Sequence, residues 1–268
     1  MYNKTIRHVK PLDQGTIVKL NVKINEVAFG TNILDVEVPK QLRKKVRTGL
    51  DYIDCALGGE GFTPSAVTFF TGTPGSGKTT MMLKMADSLT KQGAVVLFNT
   101  AEESLFQVKL VAERLRLRNG FSAGQESHIP TLLKNCDKLR NKHGNKNKPF
   151  FLIVDSLQCM DDGKYSNGHT NRASSERALS LITNYCKENF CNAVVIGQVN
   201  KSGQMAGTNK LKHMVDAMME LTVEQKDKDL EGCRVLQTTK NRFGGCGHTF
   251  FLQLNDRGFS EVARVSAA

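Results

Sequence analysis

Nine residues, GTPGSGKTT at 72–80, constrain this chain more than any other feature. From Gly72 to Thr79 they satisfy the pattern G-x-x-x-x-G-K-[S/T] in full. An apolar run, AVTFF at 66–70, precedes them. A helical pattern follows, with Met81, Met82, Met85, Ala86 and Leu89 on one side, and Gly93 ends it. Strand, glycine turn and helix are the context the motif requires. Backbone N–H groups of the loop and of the helix N-terminus then converge on one spot and can cradle phosphate oxygens. Gly72, Thr73, Pro74, Gly75, Ser76, Gly77, Lys78, Thr79 and Thr80 are therefore the candidate phosphate-binding residues. Lys78 places a charge on the β and γ phosphates, and Thr79 offers a hydroxyl to Mg²⁺. ATP with Mg²⁺ is the expected ligand pair.

A β-loop-α unit of this kind needs a parallel sheet to sit in, and the rest of the chain supplies one. AVVLFNT at 94–100, FFLIVDS at 150–156 and NAVVIGQVN at 192–200 are apolar runs of strand length, with a helix around 174–188 between the last two. Ser104 and Gln107 have the spacing of a capping box for a helix running to Asn119–Gly120. Apolar strands alternating with helices predict an α/β fold whose mostly parallel sheet is covered on both faces. Three later runs, 217–224, 233–240 and 248–254, have shorter links and predict an antiparallel extension of that sheet. Residues 1–45 read differently. Val18, Leu20, Val22 and Ile24 alternate with polar residues, which predicts a half-buried strand. We therefore read 1–45 as a small β-containing N-terminal extension, joined by the basic stretch PKQLRKKVRTG to a core over 46–268. The lysine-rich stretch 138–149 reads as a solvated loop.

Several strand ends carry chemistry. Asp155 closes FFLIVD, and an acid at such a tip faces the crevice where α/β sheets bind ligands. It is the candidate partner of Thr79 on Mg²⁺. Glu102 and Glu103 follow the 94–100 strand. Glu102, nearer the tip, is the candidate general base for water, and Glu103 suits a helix start. Gln198 ends another core strand and is placed to sense a γ-phosphate. The loop beyond it, KSGQMAGTNKLKH at 201–213, is rich in glycine and cations. Lys201, Gln204, Lys210 and Lys212 are its candidate contacts to a nucleic-acid backbone.

The net charge of +11 favours a polyanionic partner, because clustered Lys and Arg release counterions from phosphate backbones. No apolar run approaches the ~20 residues of a membrane span. The N-terminal MYNKTIRHVKPLDQG has no signal-like apolar stretch. The seven cysteines are odd in number, and none are paired at zinc-knuckle spacing, so buried reduced thiols in a cytoplasmic protein are expected.

Lys240 and Arg242, in KNRFG at 240–244, end a β-like run two residues apart and so share a face beside a glycine turn. They point at something anionic, or at acids of the same chain. Taken together, RTGLDYIDCALGG (47–59), the P-loop, AEES with Gln107, VDS, KSGQMAG, LKHMVD and above all KNRFG resemble the ATPase core of the bacterial RadA/Sms family, over about residues 40–260. The resemblance implies a RecA-like ATPase acting as a motor on single-stranded DNA in recombination and repair, by translocation, branch migration or helicase action. It implies assembly into a ring, a hexamer, or a filament, and contact with recombinase or replication proteins. It also implies that Lys240 and Arg242 reach the nucleotide of the neighbouring subunit. The family's usual four-cysteine zinc module and Lon-protease-like domain are not expected here. Its common acidic P-loop version is replaced by Thr73-Pro74-Gly75-Ser76. Two other readings stay open: an ATP-binding regulator of the clock type acting through protein partners, and a replicative ring helicase.

Overall fold

The computed structural model describes residues 27–142, 144–145, 147–164, 171–198 and 208–266. The strand expected at Val18–Ile24, and Lys201 and Gln204, lie outside these residues. The elements run α1 (Asp51–Ala56), β1 (Val67–Gly72), α2 (Lys78–Lys91), β2 (Val95–Thr100), α3 (Leu105–Arg114), β3 (Ser122–Gly124), α4 (Ile129–Arg140), β4 (Phe150–Asp155), α5 (Arg172–Asn189), β5 (Asn192–Gln198) and α6 (Thr208–Met214). Four further strands follow: β6 (Ala217–Val223), β7 (Arg234–Asn241), β8 (Thr249–Asn255) and β9 (Gly258–Val265).

All nine strands form one sheet in the order β3-β2-β4-β5-β1-β6-β7-β8-β9. The first six in that order are parallel, and β7, β8 and β9 continue antiparallel. The expected extension is present, with one difference. The run at 217–224 pairs parallel to β1, so the sheet changes sense only between β6 and β7. The reason is the return path: the chain leaves the tip of β5 and passes through α6 back to the opposite edge before β6 begins, which is a crossover rather than a hairpin.

Alternate side chains of the central strands feed two cores. Phe70, Phe151, Ile153, Val194 and Ile196 meet α2 and Val108 of α3 on one face. Phe69, Leu152, Val154 and Val195 meet α4, α5 and Leu211 of α6 on the other. With both faces covered, strands lack the polar-apolar alternation of a half-exposed sheet, which is why β1 and β4 are buried at every position.

The capping box forms as expected: the Ser104 amide donates to Gln107 Oε1 at 2.8 Å and the Gln107 amide to Ser104 Oγ at 3.3 Å. The helix it starts is shorter than expected, ending at Arg114 rather than near Asn119. Asp87 of α2 accepts the amides of Asn119 and Gly120 at 2.7 and 2.9 Å, tying those residues into a turn. The stretch 138–149 is only partly loop, since Lys138–Arg140 close α4. Thr48 is the first buried residue in the described part of the chain. All seven cysteines are free; Cys136, Cys186 and Cys191 are buried, three others are half-buried and Cys246 is exposed. No helix among the described residues is long and apolar enough to cross a membrane.

Candidate nucleotide-binding site

The strands β2, β4, β5 and β1 lie side by side, and their C-terminal tips carry the site. Thr100 is the register partner of Asp155, and Gly72 that of Gln198. Residues scattered over 126 positions, from Gly72 to Gln198, thus share one edge.

The loop from Gly72 to Gly77 is shaped by glycine. Gly75 and Gly77 have φ of 76° and 99°, a region L side chains rarely adopt. A Cβ at Gly72 would sit 2.1 Å from the Leu221 carbonyl oxygen, so β1 and β6 can approach here only without one. Lys78 Nζ donates to the Gly72 and Thr73 carbonyls at 2.9 and 3.0 Å, curled over its own loop. Burial pulls its ammonium below the ordinary lysine value, against the opposite pull of Asp155 and Glu102. Thr73 Oγ1 and Ser76 Oγ are buried without a hydrogen-bond partner. Six other buried side-chain atoms among the described residues are likewise unpartnered, so these two hydroxyls do not single out the loop, but a phosphate cradled there would give them an acceptor.

Thr79 Oγ1 donates to Asp155 Oδ2 at 2.7 Å. A hydroxyl and a carboxylate side by side form the small oxygen set that Mg²⁺ uses when substrate phosphates and water complete its shell. Asp155 is buried, and burial pushes its carboxyl up to about 6; Glu102 and Glu103 push the same way, while Thr79 and Lys78 oppose. A carboxylate held so reluctantly charged favours a cation beside it.

Glu102 projects from the turn after β2. Gln198 Nε2 donates to its Oε1 at 2.7 Å, the Ser156 hydroxyl donates to the same oxygen, and the Cys159 thiol approaches it at 3.6 Å. Three donors converge on one carboxylate oxygen, leaving Oε2 for a water. Glu103 differs: its amide donates to Thr100 Oγ1 at 3.0 Å, which shapes the turn. Sequence reasoning paired neither Ser156 nor Cys159 with Glu102, although VDS places Ser156 directly after the strand-tip acid. Arg234 was also missed. Its Nε donates to the Ser76 carbonyl at 3.3 Å, which brings β7 against the P-loop across 158 positions, and no local pattern announces it.

The structure does not bring Lys240 and Arg242 to this edge. Lys240 pairs in register with Met218, and the Arg242 amide donates to the Asp216 carbonyl beside the start of β1. Five residue steps separate Val67 from Gly72, about 17 Å along the strand. Within the protomer both cations are engaged. Lys240 Nζ donates to the Lys212 and Val215 carbonyls at 2.7 Å each. The Arg242 guanidinium pairs with Asp216 at 3.0 Å, with 48% of its side chain exposed against 1% for Asp216. Lys210 pairs with Glu176 at 2.6 Å, while Lys212 is exposed.

Sheet order, P-loop and strand-tip acids together define a P-loop nucleotide-binding core of the RecA type. Solved structures agree on the fold: one solved ATPase domain superposes with a TM-score of 0.69 over 82% of this chain and 92% of that one, at 12% identity. A DnaB-like replicative helicase superposes at 0.67 over 81% and 61%, at 14% identity. In sequence, the core is RadA-like. It is 30% identical over 229 residues to the DNA repair protein RadA of Aquifex aeolicus, and 32% identical over 252 residues to that of Campylobacter jejuni. These alignments cover 85% and 90% of this chain, but only 48% and 52% of the relatives, so the chain spans about half the length of the relatives it matches. No family model matches it.

Proposed function

We propose that this chain is a Mg²⁺-dependent ATPase that works as a motor on single-stranded DNA in recombination and repair. The observation that carries the reading is the convergence on Glu102 of Gln198 and Ser156, beside a complete P-loop, in a RadA-like sequence. Lys78 leaves the Gly72 and Thr73 carbonyls to bind the β and γ phosphates, and the N–H groups of Gly75, Gly77, Lys78 and Thr79 hold their oxygens. Thr79 and Asp155 would hold Mg²⁺, which when bound neutralises charge on the phosphates. Glu102, oriented through Oε1, accepts a proton from the attacking water at Oε2. Gln198 joins this carboxylate to the strand that leads directly into residues 199–213. Its hydrogen bond is therefore the link by which the state of the γ-phosphate reaches Lys201, Gln204 and Lys212, the proposed DNA contacts. Lys210 is better read as a tie to α5 through Glu176.

Arg242 and Lys240 lie at the sheet edge opposite their own P-loop. In a ring or filament they would act on the nucleotide of the neighbouring copy. The unused N–H donors of a half-exposed Arg242 suit it to that task. The test is ATP hydrolysis measured with and without single-stranded DNA, alongside particle imaging. Stimulated hydrolysis by ring or filament particles is expected. Hydrolysis indifferent to DNA would instead support the protein-partner regulator.

A further inference from the structure

Three stretches carrying seven cations come to the sheet edge opposite the nucleotide, outside the site and outside the 201–213 loop. Arg43, Lys44 and Arg47 lie in the lead-in to α1, Lys91 closes α2, and Arg114, Arg116 and Arg118 end α3 and the turn beyond it. All seven are exposed. The three stretches meet around the last turn of α2. Asp87 accepts from Asn119 and Gly120, and a Cβ at Gly49 would lie 3.2 Å from Ser88 Oγ and 2.5 Å from Gln92 Nε2. Lys91 stands four residues after Asp87 and three after Ser88, on the helix face both of them use.

Asp35 and Glu37 lie before the lead-in and Asp51 acts on Arg47, but the acids packed around the last turn of α2 are committed elsewhere. Asp87 turns both oxygens to the 119–120 turn, Asp54 accepts from the amides of Thr48 and Gly49, Glu60 holds Lys45, and Glu113 holds Lys109. Lone cations without a partner among the described residues occur elsewhere too, among them Lys134, Lys187 and Arg257; what sets this face apart is that three stretches bring several together. Lys44, Lys91, Arg114, Arg116 and Arg118 have no partner among the described residues. The stretches 43–47 and 114–118 also contain no aromatic residue, so they offer no platform on which unpaired bases could stack.

We infer that this basic face is a second DNA surface, which binds the phosphate backbone of a duplex while the 201–213 loop handles the single strand. Unpartnered cations without stacking groups gain affinity by counterion release alone, and a duplex presents the denser line of phosphates. The inference takes from the proposed function only that DNA is the partner.

The test compares the wild-type chain with a triple variant, Lys91→Gln, Arg116→Gln and Arg118→Gln. These side chains touch no catalytic group, so hydrolysis without DNA should be unchanged and reports an intact fold. Binding of a blunt duplex oligonucleotide and of oligo-dT is followed by anisotropy across a KCl series. The expected result is weaker duplex binding, with a salt slope flatter by about 0.9 for each lost contact, and unaltered oligo-dT binding. An unchanged duplex slope overturns the proposal, as does equal loss on oligo-dT, or competition by polyglutamate as effective as by duplex at equal charge. A wild-type chain that binds oligo-dT but no duplex overturns this inference alone. One that binds neither overturns the motor reading with it.

Discussion

The two edges of the sheet hold their charged side chains differently. At the nucleotide edge, groups are left incomplete: Thr73 Oγ1 and Ser76 Oγ have no partner, Glu102 is held by one oxygen, and Lys78 is curled onto carbonyls it can exchange for phosphate. At the far edge the cations that looked most functional are satisfied at home, Lys240 by two carbonyls and Arg242 by Asp216. Orphan hydroxyls alone do not mark the site, since Ser65 Oγ and Thr68 Oγ1 near the start of β1 are also buried without a partner; the exchangeable contacts of Lys78 and the open oxygen of Glu102 do. The satisfied, half-exposed pair at the far edge could serve a neighbouring copy only by giving up an existing contact.

The contrast between the edges breaks most visibly at Lys78. Lys78→Ala should leave no measurable ATP hydrolysis in a steady-state assay, yet retain thermal stability, because the side chain bonds only to two loop carbonyls. Stability loss with residual hydrolysis would mean that its role is structural.

Arg242→Ala should cost about 10³–10⁵ in rate if it acts as a finger in trans. It also strands the buried Asp216 carboxylate, so inactivity alone is ambiguous. Mixing it with Glu102→Gln under subunit exchange removes the ambiguity. Some interfaces then join an intact Glu102 to an intact Arg242, and activity should rise above that of either variant. If tagged subunits co-purify and no activity returns, the far-edge pair is a protomer's own scaffold.

Glu102→Gln should bind ATP and lose roughly 10²–10⁴ in turnover, the usual worth of a general base. Glu103→Gln should stay active; the reverse pattern would exchange the two assignments. Ser156→Ala removes one hydrogen bond to a charged carboxylate. It should lower kcat about tenfold with KM unchanged, and Ser156→Thr should restore it.

Asp155 gives a smaller effect, on stability. Its folded carboxyl titrates at about 6 against an ordinary 3.8. A raised carboxyl contributes stability that is complete below the unfolded value and is lost as pH rises through the folded one. Without divalent cations, the melting temperature should therefore fall between about pH 4 and 6 relative to Asp155→Asn, and Mg²⁺ should reduce the fall. A flat difference between the two proteins would place the carboxyl in a more solvated setting. Least of all, Lys201→Ala and Lys212→Ala should each flatten the salt slope of single-strand binding by about 0.7.

Much of the nucleotide edge was legible in the chain itself. The P-loop is a contiguous pattern whose glycines are required by backbone geometry, and Asp155 and Gln198 follow from where apolar runs stop. Strand ends are local events, so local sequence reports them. The N–H groups of α3 announced their own cap through Ser104 and Gln107 for the same reason. The end of that helix was misjudged because a distant residue, Asp87, decides it.

What the sequence determined by itself was thus the alternation of strand and helix, the phosphate loop and the identity of the acids at the strand tips. Only the tertiary structure decided which tips are neighbours, that β6 runs parallel to β1, that Ser156 and Gln198 share one oxygen of Glu102, and that Arg234 rests on the P-loop. It also decided that Lys240 and Arg242 face away from their own nucleotide. Strand order and register arise from packing two apolar faces against helices at once, a condition on the whole chain. Pairings over 96 or 158 positions leave no periodic trace in either partner.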